Sequence, residues 1–252
     1  MTDSLSAPIW TERSGRRGAE VENLKAVQYF TTEGGRFSFA TGRTVGFIRD
    51  RFLSVINAPA CLLNGGVVYE YKNDRVLYER RVAFTVREFL EVVRPEVGSG
   101  TTLHVNHDTF AESTVYRNFD AVGSEELDLH ATKLICVFET PEKALEFKKF
   151  ALSQDFFKDT YISRSWNVGV EFNACNGTKG HALDFIKAQL KNIHTSVGIG
   201  DYENDITLIR HADIGAAVGS GTEELKQCAD WIVKPCSQFA VKDLIERLEA
   251  LV

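Results

Sequence analysis

Gly200-Asp201-Tyr202-Glu203-Asn204-Asp205 closes an apolar run that begins at Ser196 and opens a helical one. In open α/β sheets, ligands bind outside the carboxyl ends of strands. Two carboxylates and an amide carbonyl within five residues offer the hard oxygen ligands that magnesium takes, with water and phosphate completing its shell. On their own, Asp201 and Asp205 would do no more than cap the helix and complement its positive end. Their surroundings decide between the two roles.

Working outward, the chain alternates strand and helix from Lys179 to its end. A helix carries Leu183, Ile186 and Leu190, and the strand Ser196 to Gly200 follows. A short helix after Asn204 leads to a strand over Ile214 to Val218. A helix from Thr222, a strand over Trp231 to Val233 and a last helix complete the pattern. That last helix sets Val241, Leu244, Ile245, Leu248 and Leu251 on one face. Repeated βα units predict a parallel sheet covered by helices on both faces.

Toward the N-terminus, residues 1 to about 19 are polar and irregular and predict a loop or frayed end. Val21, Leu24, Val27 and Phe30 predict a helix from Glu20. A strand is expected over Arg36 to Ala40, a helix over Val45 to Val55 and a strand over Cys61 to Leu63. Val67 to Tyr71 and Arg75 to Tyr78 predict a hairpin. The texture changes near residue 83. A helix over Val86 to Val93 and a strand over Leu103 to Asn106 precede a polar stretch to about Glu126. Lys133 to Phe138 reads as a strong strand. Thr140-Pro141-Glu142 opens a helix with a cap, a proline and an acid in their preferred places. Strands near Tyr161 to Arg164 and Gly169 to Phe172 follow. Residues 83–175 thus read as a small α+β module inserted in a core made of 1–82 and 176–252.

Three more turns carry polar groups at strand ends or helix starts. Thr41-Gly42-Arg43 offers a hydroxyl and backbone N–H groups where a phosphate could sit. Thr178-Lys179-Gly180 places a lysine at the positive end of a helix, which is electrostatically costly unless an anion joins it. Asn64-Gly65-Gly66 is a tight turn. Each alone would read as ordinary capping, a solvated lysine or a plain turn.

Composition narrows the function classes. The chain has 252 residues, 44% of them hydrophobic, and a formal net charge of -6. Such a mildly acidic chain is a poor partner for nucleic acid, and no stretch has the apolar length of a membrane span. Five scattered cysteines without metal spacing suggest reduced thiols in a cytoplasmic protein. His104 and His107 form an H-x-x-H without a third ligand at fitting spacing, so packing or a substrate-facing role is expected rather than zinc. Gly215 to Gly221 lacks the G-x-G-x-x-G spacing of a dinucleotide-binding oxidoreductase.

The four turns, in this order, resemble the haloacid dehalogenase superfamily, and within it the Cof-type phosphatases, whose cap lies between the second and third motifs. The resemblance covers about residue 20 to the end. It implies a Rossmann-like α/β core with an inserted α+β cap and Mg2+-dependent hydrolysis of a small phosphorylated metabolite such as a sugar phosphate. By the same resemblance, Thr41 is the phosphate-binding hydroxyl and Lys179 the phosphate-neutralising lysine. Asp201 and Asp205 are the acids at the metal, and Gly42, Arg43, Asn64, Gly65 and Asn204 shape the site. Residues Ala212 to Gly219 and Ala229 to Val233 fit the family's closing pattern. There are two departures. Ser220 stands where the branch often has asparagine. More seriously, the family opens on a strand ending in Asp-x-Asp, whose first aspartate is the nucleophile. Asp3 is the only aspartate before Asp50, and no apolar strand precedes it. The expectation is that the sequence begins inside a longer protein, with Met1 to Ser14 as the loop after the missing motif. The rival expectation is a phosphometabolite-binding protein without catalysis.

Overall fold

The computed structural model describes residues 5–6, 17–98, 100–191 and 193–251. The first core segment comprises β1 (Leu5–Ser6), α1 (Arg17–Thr32), α2 (Val45–Phe52), β2 (Ala60–Leu62), β3 (Val67–Glu70) and β4 (Arg75–Glu79). A second module with its own sheet, called the cap below, follows with α3 (Val86–Val93), β5 (Thr102–Asn106), β6 (Thr114–Tyr116), α4 (Ser124–Leu127), β7 (Lys133–Val137), α5 (Pro141–Ser153), β8 (Thr160–Ser163) and β9 (Gly169–Ala174). The chain returns to the core through α6 (Lys179–Gln189), β10 (Thr195–Gly200), α7 (Ile206–His211), β11 (Ile214–Val218), α8 (Glu223–Cys228), β12 (Trp231–Val233) and α9 (Ala240–Glu249).

The alternating C-terminal third forms the parallel sheet β1-β10-β11-β12. One face packs Val197, Ile199, Ala216 and Val218 against Val27 and Phe30 of α1 and Val241, Leu244 and Leu248 of α9. The other face is covered by α7 and α8, through Leu208, Ile209 and Leu225, while α6 packs against α7, β2 and β3. Helices on both sides explain why these strands are apolar throughout rather than alternating.

In three places the elements differ from the sequence reading. Leu5–Ser6, expected to be loop, pairs in parallel with Thr195 and Ser196. It covers part of one edge of β10. The rest of the supposed loop after the missing motif lies outside the described residues. Second, Arg36 to Ala40 is extended without being a regular strand. Cys61 donates to the Phe39 carbonyl and Thr41 donates to the Cys61 carbonyl, so the segment is laddered to β2 on one side. Third, the polar stretch before Glu126 contains β6, whose exposed Val115 leaves little apolar signal.

The cap sheet has the order β6-β5-β7-β9-β8 and is antiparallel throughout. Its period of two sorts the side chains cleanly. Leu103, Val105, Leu134, Cys136, Val170 and Phe172 point into a core shared with α3 and α5. The other face carries His104, Asn106, Lys133, Ile135 and Glu171, and it roofs the core.

Candidate active site

The strand-end turns meet beneath the cap. Thr41 is buried, and its Oγ1 accepts the Arg43 N–H at 3.2 Å. The Thr41 carbonyl accepts the Asn64 N–H at 2.9 Å, and the Arg43 carbonyl accepts the Leu63 N–H at 3.1 Å. These bonds stitch the turn at 41–43 to the turn at 63–65. The second turn runs through three positive φ angles: 49° at Leu63, 61° at Asn64 and 109° at Gly65. The left-handed region costs a non-glycine residue roughly 1–2 kcal/mol, a strain the bonds on both sides must offset. Gly65 is there for space as well as φ: a Cβ would lie 2.1 Å from the Thr178 carbonyl carbon. The Asn64-Gly65 turn is thereby pressed against the start of α6.

Thr178 caps that helix, accepting the His181 N–H at 3.3 Å. Lys179 follows, 1% exposed, and donates to Asp205 Oδ1 at 2.6 Å. The anion that a lysine at a helix N-terminus requires is therefore Asp205. Its other oxygen accepts the N–H groups of Asp201 at 3.0 Å and Tyr202 at 3.2 Å. Gly200 lets this carboxylate fold back over the strand end, since a Cβ would meet the Asp205 Cβ at 2.3 Å. Asn204 donates to Asn64 Oδ1 at 3.1 Å and to Ser165 Oγ, on the cap, at 2.8 Å.

These turns and the polar cap face enclose a cleft of roughly 430 Å³. Of the residues singled out in the sequence, Thr41, Gly42, Arg43, Lys179, Asp201 and Asn204 line it. Asn64, Gly65 and Asp205 lie behind this lining and hold it in place. Asp205, read from the sequence as a metal ligand, is here engaged by an ammonium and two backbone N–H groups. Asp201 is the acid of the pair that reaches the cleft. Among the described residues no three His, Cys, Asp or Glu side chains gather as a metal cage. Magnesium is commonly held by one or two carboxylates plus water and substrate phosphate, and Asp201 suits that sparse arrangement.

Sequence reasoning passed over the cap's contribution. Lys133 and Glu171 are 3% and 1% exposed, 3.6 Å apart, and both line the cleft. Lys133 Nζ donates to the Gly42 carbonyl at 2.8 Å. Glu171 accepts hydrogen bonds from Asn64 Nδ2 and Ser165 Oγ. Outside the cleft, Glu203 accepts from Arg164 at 3.0 Å and from Lys148, tying the cap to the acid turn itself. The available signal was a charged residue at alternate positions of otherwise apolar strands, in Lys133-Leu134-Ile135 and Val170-Glu171-Phe172.

Burial lowers the Lys133 pKa, against the pull of Glu171 and with help from Arg43 and Lys179. Burial also lowers that of His104, with Lys133 adding to the effect. The Cys61 thiol under the Thr41 turn is pushed up to about 12 by burial and stays protonated. The H-x-x-H pair diverges. His104 lines the cleft, whereas His107 Nδ1 stands 3.8 Å from Glu126.

Comparison with known proteins agrees with this geometry. A Mycoplasma pneumoniae protein with a provisional phosphatase name is 22% identical over 251 residues, covering 87% of this chain and 85% of that one. A haloacid dehalogenase-like hydrolase from B. subtilis superposes with a TM-score of 0.76 at 15% identity, over 98% of this chain and 100% of that one. The subclass IIB sugar phosphatase BT4131 superposes with a TM-score of 0.72 at 18% identity, over 98% and 99%. The family model described as haloacid dehalogenase-like hydrolase matches residues 14–245, nearly the whole sequence, so the chain belongs to that family.

Proposed function

We propose that the cleft is the site of a Mg2+-dependent phosphomonoester hydrolase acting on a small phosphorylated metabolite, of which a sugar phosphate is the favoured example. One observation carries the reading. Lys179 and Asp205 form a buried ion pair at 2.6 Å at the floor of a cleft that also presents Thr41, Gly42 and Asp201. Family membership and the fold shared with a sugar phosphatase support it.

In this reading Thr41 and the Gly42 N–H hold the phosphoryl oxygens, and Lys179 neutralises their charge. Asp205 keeps the Lys179 ammonium aimed by fixing its position from behind. Asp201, with the Asn204 side chain beside it, would hold magnesium, which supplies charge neutralisation between protein and phosphoryl group. The cap, taken as 83–175, excludes water and contacts the leaving group. Covalent catalysis needs a nucleophile. No Asp-x-Asp precedes Thr41. In this reading the described residues bind and neutralise the phosphoryl group.

Phosphate release from a panel of sugar phosphates, with and without Mg2+, tests the proposal. Release that requires Mg2+ and disappears in Lys179→Ala is expected. Phosphate binding without any release would leave a phosphometabolite-binding protein in its place.

A further inference from the structure

Lys133 is a buried cation with donor capacity to spare. Its ammonium has three hydrogens, and among the described residues its hydrogen bond goes to the Gly42 carbonyl at 2.8 Å. Glu171 Oε1 is ion-paired with it at 3.6 Å, while Glu171 Oε2 receives Asn64 and Ser165, so the closest contact of the ammonium is with the core turn. Two further cations, Arg43 and Lys179, line the same cleft. Burial first, and then the charges of Arg43 and Lys179, lower the Lys133 pKa, while Glu171 raises it. The three cations share the cleft with the carboxylates of Glu112, Glu171 and Asp201, and a phosphoryl group entering it would give the Lys133 ammonium an acceptor for its remaining hydrogens.

The position of the ammonium says which anion. Gly42 follows Thr41 in the turn proposed to hold the phosphoryl group. A Cβ on Gly42 would lie 3.3 Å from Lys133 Nζ and 3.1 Å from Asn64 Oδ1. The lysine thus reaches down from β7 to the phosphate turn instead of lying along the cap. Resting on the proposed function, we infer that Lys133 is a second phosphate-binding lysine, contributed by the cap, so that the lid over the cleft also grips the phosphoryl group. Phosphate draws the ammonium from the Gly42 carbonyl to a phosphoryl oxygen, and tight phosphate binding then requires the closed cap.

Calorimetric titration of inorganic phosphate, at fixed Mg2+, into the intact chain tests this. The wild type is compared with Lys133→Met, Lys133→Arg and Lys143→Met, the last removing an exposed cap lysine that pairs with Glu139 on the cap itself. Circular dichroism confirms that each is folded. A charge-assisted hydrogen bond predicts that Lys133→Met weakens phosphate roughly tenfold or more. Lys133→Arg should recover most of that loss, and Lys143→Met should bind as the wild type does. Unchanged affinity in folded Lys133→Met overturns this inference alone. No phosphate binding by the wild type overturns the proposed function, and this inference with it. Should Lys133→Met fail to fold, the wild type decides. Acylation of Lys133 by an amine-reactive reagent, read by mass spectrometry, slows in phosphate if the ammonium binds it; an equal rate overturns the inference.

Discussion

Two buried lysine–carboxylate pairs face one cleft, and they are built differently. In the core, Lys179 and Asp205 touch at 2.6 Å, and two backbone N–H groups from the same turn hold the carboxylate. The cap pair, Lys133 and Glu171, stands 3.6 Å apart, and each partner's hydrogen bonds lead across to the core or to a neighbouring loop. The core pair is closed on itself and works as a fixed part of the floor. The cap pair is open, and its members are spread over the seam between the two modules. The same two charges therefore serve as scaffold in one place and as a receptor in the other.

Breaking the closed pair should cost most. Asp205→Ala leaves a buried ammonium uncompensated and orphans two N–H groups, so about 3–5 kcal/mol of unfolding free energy should be lost in urea titration. Glu171→Ala removes an acceptor from a cleft that water can enter, and about 1–3 kcal/mol is expected in the same assay. A cost for Glu171→Ala equal to that for Asp205→Ala would erase the distinction between the pairs.

What the sequence made legible follows the same division. Lys179, Asp201, Asp205 and Thr41 sit at strand ends beside glycines, where local spacing betrays a turn with chemistry in it. The four turns converge because each parallel strand delivers its carboxyl end to one rim. Lys133 and Glu171 sit inside strands, and their neighbours Leu134, Ile135, Val170 and Phe172 make both segments read as plain core. Their shared face emerges only from the pairing of β7 with β9, in which Lys133 stands opposite Asn173 and Ile135 opposite Glu171, so that Lys133 and Glu171 become diagonal neighbours. Long-range antiparallel register is not written in local periodicity. Leu5–Ser6 was missed for a related reason: two residues carry no period, and their place is set by the edge of β10.

Two smaller effects sharpen the picture of the seam. Glu203 is 10% exposed and holds both Arg164 and Lys148 of the cap. Glu203→Gln should loosen the cap at a cost of about 1 kcal/mol or less. Hydrogen exchange should then speed up at the Asn204 N–H, which donates to the Arg164 carbonyl at 3.2 Å, and not in α9. The smallest effect is electrostatic. His104 is harder to protonate folded than unfolded, because of burial and then Lys133. As the pH falls below about 6.5, the unfolded chain takes up this proton first, so stability drops through that window. His104→Gln should flatten that part of the stability curve, and a wild-type slope retained by the variant would assign it to other groups.

If the rim of the core sheet holds a divalent cation beside a phosphoryl group, the two ligands are thermodynamically linked. Phosphate is titrated at zero and at saturating Mg2+, and Mg2+ at zero and at saturating phosphate, in the wild type and in Asp201→Asn. Each ligand should tighten the other by the same factor, and that factor should collapse toward one in Asp201→Asn. Phosphate affinity indifferent to Mg2+ in the wild type, or coupling undiminished in Asp201→Asn, would contradict that arrangement.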